Sequence, residues 1–380
     1  MRLIKTTGEL TDFLKKAEKA SFLTVDTEFM SEKRYYAQLC LIQIATDDEA
    51  VCIDPLSDGL DLQALKPIMC DSDVLKVMHA GRQDMAIFYE LFGALPTPIF
   101  DSQIVAMVCG YGENISYQKL VADLTKGTIE KASRFTDWSR RPLTDKQMAY
   151  ALDDVTYLRT IYEKLQAKVT EQKREPWIAE EMGWLTSIET YDIDPMDVWQ
   201  RIKTRNPKPR TLNILRFLAA WRERKARDKN QPRGRVIKDD LLIDLATQAP
   251  QDLGAMQKLR SLPKGFTNSS YANELLDEIK NAMTVPKDDW PQPPKVSRPH
   301  DVSAVVELLK VLLKYKSEEH GVASKLLANV DDLKCFALEQ PDVRFTKGWR
   351  AEVFGNDAEK LRTGKLGLSL VDGEITLLTP

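Results

Sequence analysis

In the run SFLTVDTEFM, Asp26 and Glu28 stand one residue apart inside an otherwise apolar strand. Side chains at i and i+2 share a face of a strand, so both carboxylates project together. Like charges that close raise each other's pKa unless a cation neutralises them. Alone, the pair fits the charged solvent face of an edge strand. Two further acids change the balance. Asp84, the last residue of HAGRQD, falls in the first turn of the helical stretch after the fourth strand, and Asp154 lies in YALDD, four residues after Tyr150 and on the same helix face. Asp84 would also suit a helix N-terminus for reasons of charge alone. Together, a strand DxE, a helix-start Asp and a helical YxxxD can converge over the end of a central strand. Four clustered carboxylates with little basic compensation are costly without metal. Oxygen ligands, in a chain with only three histidines, favour Mg²⁺ or Mn²⁺. Two such ions about 3.5–4 Å apart form the usual clamp for phosphodiester hydrolysis, one activating water and the other stabilising the leaving 3′ oxygen.

The elements that must position these residues are legible as runs. After a short opening strand and the helix GELTDFLKKAEKA come FLTVDTEF, LCLIQIAT and EAVCIDP, short apolar segments that read as a meander. VLKVMHA (74–80) then leads into helical GRQDMAIFYELFG, and TPIFD (97–101) into SQIVAMVCG. This change to strand–helix alternation predicts an α/β fold, a mixed sheet flanked by helices. The helix starting near Asp145 opens with a capping box, Thr144 with Gln147, and carries the stripe Met148, Leu152, Val155, Leu158, Tyr162, Leu165. Past about residue 200 the pattern is wholly helical. VPKDDWPQPPKVSRP places five prolines between Val285 and Pro299, a stiff extended linker. A further helical unit ends in LGLSLVDGEITLL, a hairpin turning at Asp372–Gly373.

The 380 residues are 43% hydrophobic and 29% charged, which excludes a disordered chain. No run of about 18 apolar residues suggests a membrane span, and the charged opening lacks the apolar core of a secretory signal. Five scattered cysteines without a CxxC pair suggest neither a zinc site nor a disulfide framework, and fit a reducing cytoplasm. Net charge is -3, yet Arg201 to Asp240 holds 14 Lys and Arg against 4 Asp and Glu. A basic segment on an acidic protein is a footprint of nucleic-acid contact. On RTLNILRFLAAWRERKARDKN, Leu212, Leu215, Leu218 and Trp221 form the buried stripe. Arg216, Arg222, Arg224, Lys225, Arg227 and Lys229 are expected outside, where phosphate attraction is favoured over a merely solvated face.

VDTEF, HAGRQD and YALDDVTYL, in that order, resemble the three exonuclease motifs of the DEDD superfamily of 3′→5′ exonucleases, with Tyr150 as in its tyrosine subclass. RYYAQLCLIQIAT, IFDSQIVAMVCGYG and TDWSRRPLTDKQMAYALDDVTYL are similar to the ribonuclease D family. The basic unit resembles the helicase-and-RNase-D C-terminal (HRDC) domain, and the last unit the second copy found in that family. The resemblance implies an RNase H-like exonuclease domain over 1–200, a basic HRDC domain over 206–284, the Pro-rich linker 285–299 and a second HRDC-like domain over 300–380. It implies that Asp26, Glu28, Asp84 and Asp154 hold two divalent ions and that Tyr150 orients the attacking water. A phenol with a pKa near ~10 is a poor base, so lowering the water's pKa falls to the metal.

Candidate RNA contacts are Gln38, Leu39, His79, Gln83, Phe135, Trp138, Arg140 and Arg141, with Arg222, Arg224 and Lys225 on the basic helix. Structural readings stand beside several: a satisfied histidine at His79, core aromatics at Phe135 and Trp138, salt bridges at Arg140 and Arg141. The implied activity is 3′→5′ exoribonuclease action releasing nucleoside 5′-monophosphates, with tRNA precursors as substrate and a cytoplasmic monomer as the working form. Its rivals are a DNA 3′ exonuclease, a catalytically silent RNA-binding protein and a proofreading polymerase subunit.

Overall fold

The apolar runs become the strands of one sheet. The computed structural model describes residues 2–129, 136–293 and 301–379. Six strands, β1 (Arg2–Ile4), β2 (Phe22–Met30), β3 (Gln38–Ala45), β4 (Ala50–Ile53), β5 (Leu75–Met78) and β6 (Ile99–Asp101), lie in the order β1-β4-β3-β2-β5-β6. β3 and β4 are antiparallel; β1 runs parallel to β4, and β5 runs parallel to both β2 and β6. This is the expected mixed sheet, with β2 in its interior. Phe22, Leu23, Thr24, Val25 and Thr27 are buried on β2, while Asp26 and Glu28 are half-buried.

The long helix Asp145–Gln172 starts at the predicted Thr144–Gln147 capping box and buries Met148, Ala151, Val155, Leu158, Ile161 and Leu165. Leu152 and Tyr162, expected in that stripe, are half-buried, because the seam turns onto Ala151 and Ile161. Two contacts register this helix against β2. The Thr24 hydroxyl donates to the Val155 carbonyl at 2.7 Å, and the Phe22 and Tyr162 rings lie 4.5 Å apart. A backbone contact one residue beyond Asp154 therefore fixes where that acid stands along the strand.

The chain gathers into two compact units, Met1–Glu28, Leu39–Ser187 and Val296–Pro380 in one, Phe29–Gln38 and Ile188–Lys295 in the other. In the first unit, the stretch read as a separate terminal domain groups with the sheet. Trp349 stacks on Trp177 at 4.4 Å, and Arg350, fully buried, pairs with Glu181 and, at 2.9 Å, with Glu180. The terminal hairpin Gly367–Val371/Glu374–Leu378 turns at Asp372 and Gly373, both at positive φ, 51° and 86°, as the sequence led one to expect. Of the proline-rich stretch, residues 285–293 include a short turn, Lys287–Asp289, with the Trp290 indole donating to the Val285 carbonyl at 3.0 Å. Residues 294–299 lie outside the described residues. In the second unit, helix Pro209–Asp228 packs against Asp239–Gln248 and Ser270–Thr284 around Leu215, Leu218 and Trp221. No helix among the described residues is long and apolar enough to cross a membrane.

The buried Arg350 pair yields a stability prediction. Glu181 also accepts from Arg344 at 3.0 Å and from the Trp349 indole at 3.2 Å, so it is not orphaned when Arg350 is removed. Arg350→Ala should therefore cost about 3 kcal/mol, the lower end for breaking a buried pair. Arg344→Ala, at a half-exposed position, should cost under about 1 kcal/mol. Urea unfolding midpoints of the two variants check this ordering.

Candidate active site

Strand β2 is rigid and its side chains alternate, so Asp26 and Glu28 leave the same face while Thr27 between them points to the other. Helix Asp145–Gln172 brings Asp154 to the first pair. One ligand oxygen from each of Asp26, Glu28 and Asp154 lies within 4.8 Å of the others, a grouping that could hold a metal ion. Asp84, in the first turn of helix Arg82–Phe92, is buried, and it is not part of that trio. Its carboxylate instead accepts a hydrogen bond from the Thr27 hydroxyl. The sequence led to four converging acids; the structure brings three together and tethers the fourth to the residue between two of them.

The electrostatics carry the same message. Loss of solvation, then the charges of Asp154, Asp84 and Glu28, hold the Asp26 carboxyl well above its ordinary range. Burial followed by Asp154 and Asp84 pushes Glu28 up to about 9. Burial raises Asp84 to about 6, with the Thr27 hydroxyl opposing the rise. Among the described residues, the leading charges acting on these three carboxylates are other acids rather than lysine or arginine. A divalent cation supplies what they lack, so the donor set, hard oxygens under mutual repulsion, fits Mg²⁺ or Mn²⁺.

Two residues the sequence did not single out complete the setting. Thr27 was in plain view inside VDTEF, but nothing in the spacing says which acid it serves. The Tyr117 hydroxyl donates to the Asp153 carbonyl at 3.0 Å and so braces the helix beside Asp154. Burial, then the charges of Asp154 and Asp26, push that phenol well above its ordinary value. Tyr150 lies one turn before Asp154, its ring 6.2 Å from that of Trp138.

The proposed RNA contacts are differently placed. Gln38 and Leu39 are half-buried at the start of β3, and Gln83 is exposed on its helix. The His79 Nδ1 lies 2.9 Å from the Ser102 hydroxyl, and burial lowers its pKa to about 4, so the ring is neutral. Trp138 is 2% exposed, and its indole N–H has no partner among the described residues. Arg140 is exposed and pairs with Asp137 at 3.2 Å. Arg141 forks onto Asp54 at 2.8 and 2.6 Å and also donates to the Cys40, Trp138 and Arg140 carbonyls. Phe135 lies outside the described residues.

The basic helix needs a correction. Arg222, expected on the outer face, is 6% exposed: its guanidinium donates to the Ile237 carbonyl at 3.1 Å and to Asp239 at 2.6 Å. The excess of positive charge is also better balanced than the local sequence suggests. Arg224 meets Glu278 at 2.8 Å and Lys225 meets Glu274 at 2.9 Å, partners some fifty residues downstream. Arg227 and Arg233 share the fully buried Glu223, together with the Tyr35 phenol. Arg210, exposed, and Arg216, half-buried, lie on the same helix and form no ion pair among the described residues.

Residues 1–170 match the 3′-5′ exonuclease family model and residues 211–279 the HRDC domain model. The chain is 44% identical to Ribonuclease D of Nitrobacter hamburgensis, covering 99% of this chain and 98% of the relative. It is 45% identical to Ribonuclease D of a Jannaschia species, over 96% of each. Among solved structures it is similar to Escherichia coli RNase D, an exoribonuclease involved in structured RNA processing, with TM-score 0.84 and 29% identity over 96% of this chain and 98% of that one.

The raised carboxyl of Glu28 predicts a pH dependence of stability in chelator. Its pKa is about 9 in the fold against 4.5 in the unfolded chain. The protonated form favours the fold, so its contribution is complete below the unfolded value and is lost as pH rises through the folded one. Glu28→Gln keeps the shape without the charge. Near pH 8 in EDTA the variant should melt above the unsubstituted protein, with the gap closing toward about pH 5. A variant that melts lower near pH 8 would contradict the assignment.

Proposed function

Because the chain belongs to the ribonuclease D family, hydrolases that act as 3′→5′ exoribonucleases, we propose that Asp26, Glu28, Asp84 and Asp154 hold two divalent cations and that Tyr150 directs the attacking water. The observation that carries this reading is the trio Asp26, Glu28 and Asp154, with ligand oxygens within 4.8 Å on two rigid elements. When bound, the cations lower the pKa of water and stabilise charge on the leaving 3′ oxygen.

The protein's own residues do the rest. Asp26 and Glu28 present two oxygens at a separation the strand fixes, and helix Asp145–Gln172 sets the third from the side. Tyr150, one turn earlier, offers a phenol that can hydrogen-bond the water and aim it at the terminal phosphorus. The bond broken is that between phosphorus and the 3′ oxygen of the penultimate nucleotide. The phosphate therefore leaves on the released residue, a nucleoside 5′-monophosphate, and the shortened chain keeps a free 3′ hydroxyl for the next round.

The substrate proposed is a tRNA precursor with a 3′ extension, whose single-stranded end can splay and stack where a duplex cannot. The structured-RNA processing ascribed to the Escherichia coli relative supports that choice. The working form proposed is a monomer in the cytoplasm, which suits five free cysteines. Arg210 and Arg216 take over the phosphate-attracting role assigned from sequence to Arg222, Arg224 and Lys225, since among the described residues they form no ion pair.

Two experiments test the reading. Asp154→Asn should lower kcat by roughly a thousandfold or more, about 4 kcal/mol of transition-state stabilisation, while RNA binding persists. Hydrolysis that survives Asp154→Asn or EDTA, internal fragments in place of mononucleotides, or a strong preference for DNA would each count against it. Separately, reversing Arg210 and Arg216 to Glu should weaken RNA binding and flatten its salt dependence more than reversing Arg224 and Lys225 does. Equal slopes would return Arg210 and Arg216 to ordinary surface charge.

A further inference from the structure

One buried acid takes no part in the chemistry above. Asp101, the last residue of β6, is 2% exposed and accepts four backbone hydrogen bonds. Its Oδ1 accepts the N–H groups of Gln103 at 2.9 Å and Ile104 at 3.3 Å, which is ordinary capping of helix Ser102–Val108. The other two bonds leave that helix. Oδ1 also accepts the Ala80 N–H at 3.1 Å, and Oδ2 accepts the Gly81 N–H at 2.8 Å. Next door, Ser102 meets the His79 ring at 2.9 Å. Residues 79–81, the junction from β5 into helix Arg82–Phe92, are thus bonded one after another to residues 101–102.

That junction has little to hold it by itself. Ala80 sits at φ 55°, a region that side-chain-bearing residues seldom adopt. Gly81 is the N-cap of its helix and offers no side chain to cap it. A Cβ at position 81 would lie 2.8 Å from the Met78 Cβ, so the position cannot take a capping serine or aspartate without a shift. The helix beginning here carries Asp84 three residues later. Asp101 supplies from another strand the anchor that the local sequence cannot.

We propose that Asp101 is a positioning residue for Asp84: by gripping Ala80 and Gly81 it sets where the Asp84 carboxylate stands, and so the affinity of the acidic site for its divalent cation. This rests on reading the carboxylates as cation ligands. It assigns His79 a supporting strut, which also accounts for the half-buried ring held against Ser102.

Asp101→Asn is the discriminating variant. The amide keeps one oxygen, which can go on accepting from the three donors on the Oδ1 side, and turns an NH₂ group toward the Gly81 N–H. It thereby breaks the Gly81 half of the grip on the Asp84 helix, while the Ala80 bond and the cap of helix Ser102–Val108 are spared. On the full chain, Mn²⁺ affinity is read by calorimetry and by Mn²⁺-dependent thermal shift, with kcat followed at limiting and saturating Mn²⁺. The half-saturating Mn²⁺ concentration should rise about tenfold, the size expected when a ligand's supporting partner is removed, and kcat should recover toward normal at high Mn²⁺. An unchanged half-saturating concentration, even with a lowered melting temperature, would overturn the proposal and leave Asp101 a purely structural residue. Should the Asn variant not fold, Gly81→Ala disturbs the same junction from the Met78 side and carries the same expectation and the same refutation. Asp154→Asn run in parallel separates the two claims. If it loses Mn²⁺ binding while Asp101→Asn does not, the positioning role alone fails; if it keeps Mn²⁺ binding, the cation-site reading fails and takes the positioning role with it.

Discussion

Mutual repulsion among desolvated carboxylates is the constraint on which this site is built. Asp26, Glu28 and Asp154 place ligand oxygens within 4.8 Å of each other, and Asp84 adds its field from the neighbouring helix. A flexible chain would let such groups move apart. Here the strand spacing of two residues and the helix registry forbid it, so the protein can relieve the strain only by keeping protons or by accepting cations.

Much of the surrounding architecture serves to hold that arrangement. The Thr24 hydroxyl and the Tyr117 phenol bond to the carbonyls of Val155 and Asp153, so the turn that carries Asp154 is gripped on both sides. Thr27 holds Asp84, and Asp101 holds the start of its helix. None of these contacts is between residues close in sequence.

That separation explains what the sequence could and could not reveal. The strands, the Thr144–Gln147 cap and the hairpin turn at Asp372–Gly373 are local features, written in alternation, capping residues and a two-residue turn, and each was legible. So were the acids themselves, because DxE on a strand and YxxxD on a helix define faces without any tertiary information. The tether of Asp84 to Thr27, the Tyr117 brace and the Asp101 grip depend on which elements become neighbours, and no periodicity encodes that. The basic helix misled for the same reason. Its excess charge is real within a forty-residue window, but Glu274 and Glu278, which neutralise Lys225 and Arg224, lie far downstream. Arg222 looked exposed by helical phase, yet the Ile237 carbonyl and Asp239 hold it inside.

With their carboxyls raised in this way, a cation that enters the site displaces protons from the clustered acids. Calorimetric titration of the metal-free protein with Mn²⁺, near pH 7.5 in two buffers of different ionisation enthalpy, measures the protons released on binding. Net proton release is expected, and hence a binding heat that changes with buffer, because burial and the neighbouring carboxylates push Glu28 up to about 9 and raise Asp26 as well. A binding heat that is the same in both buffers, or no binding, would contradict it.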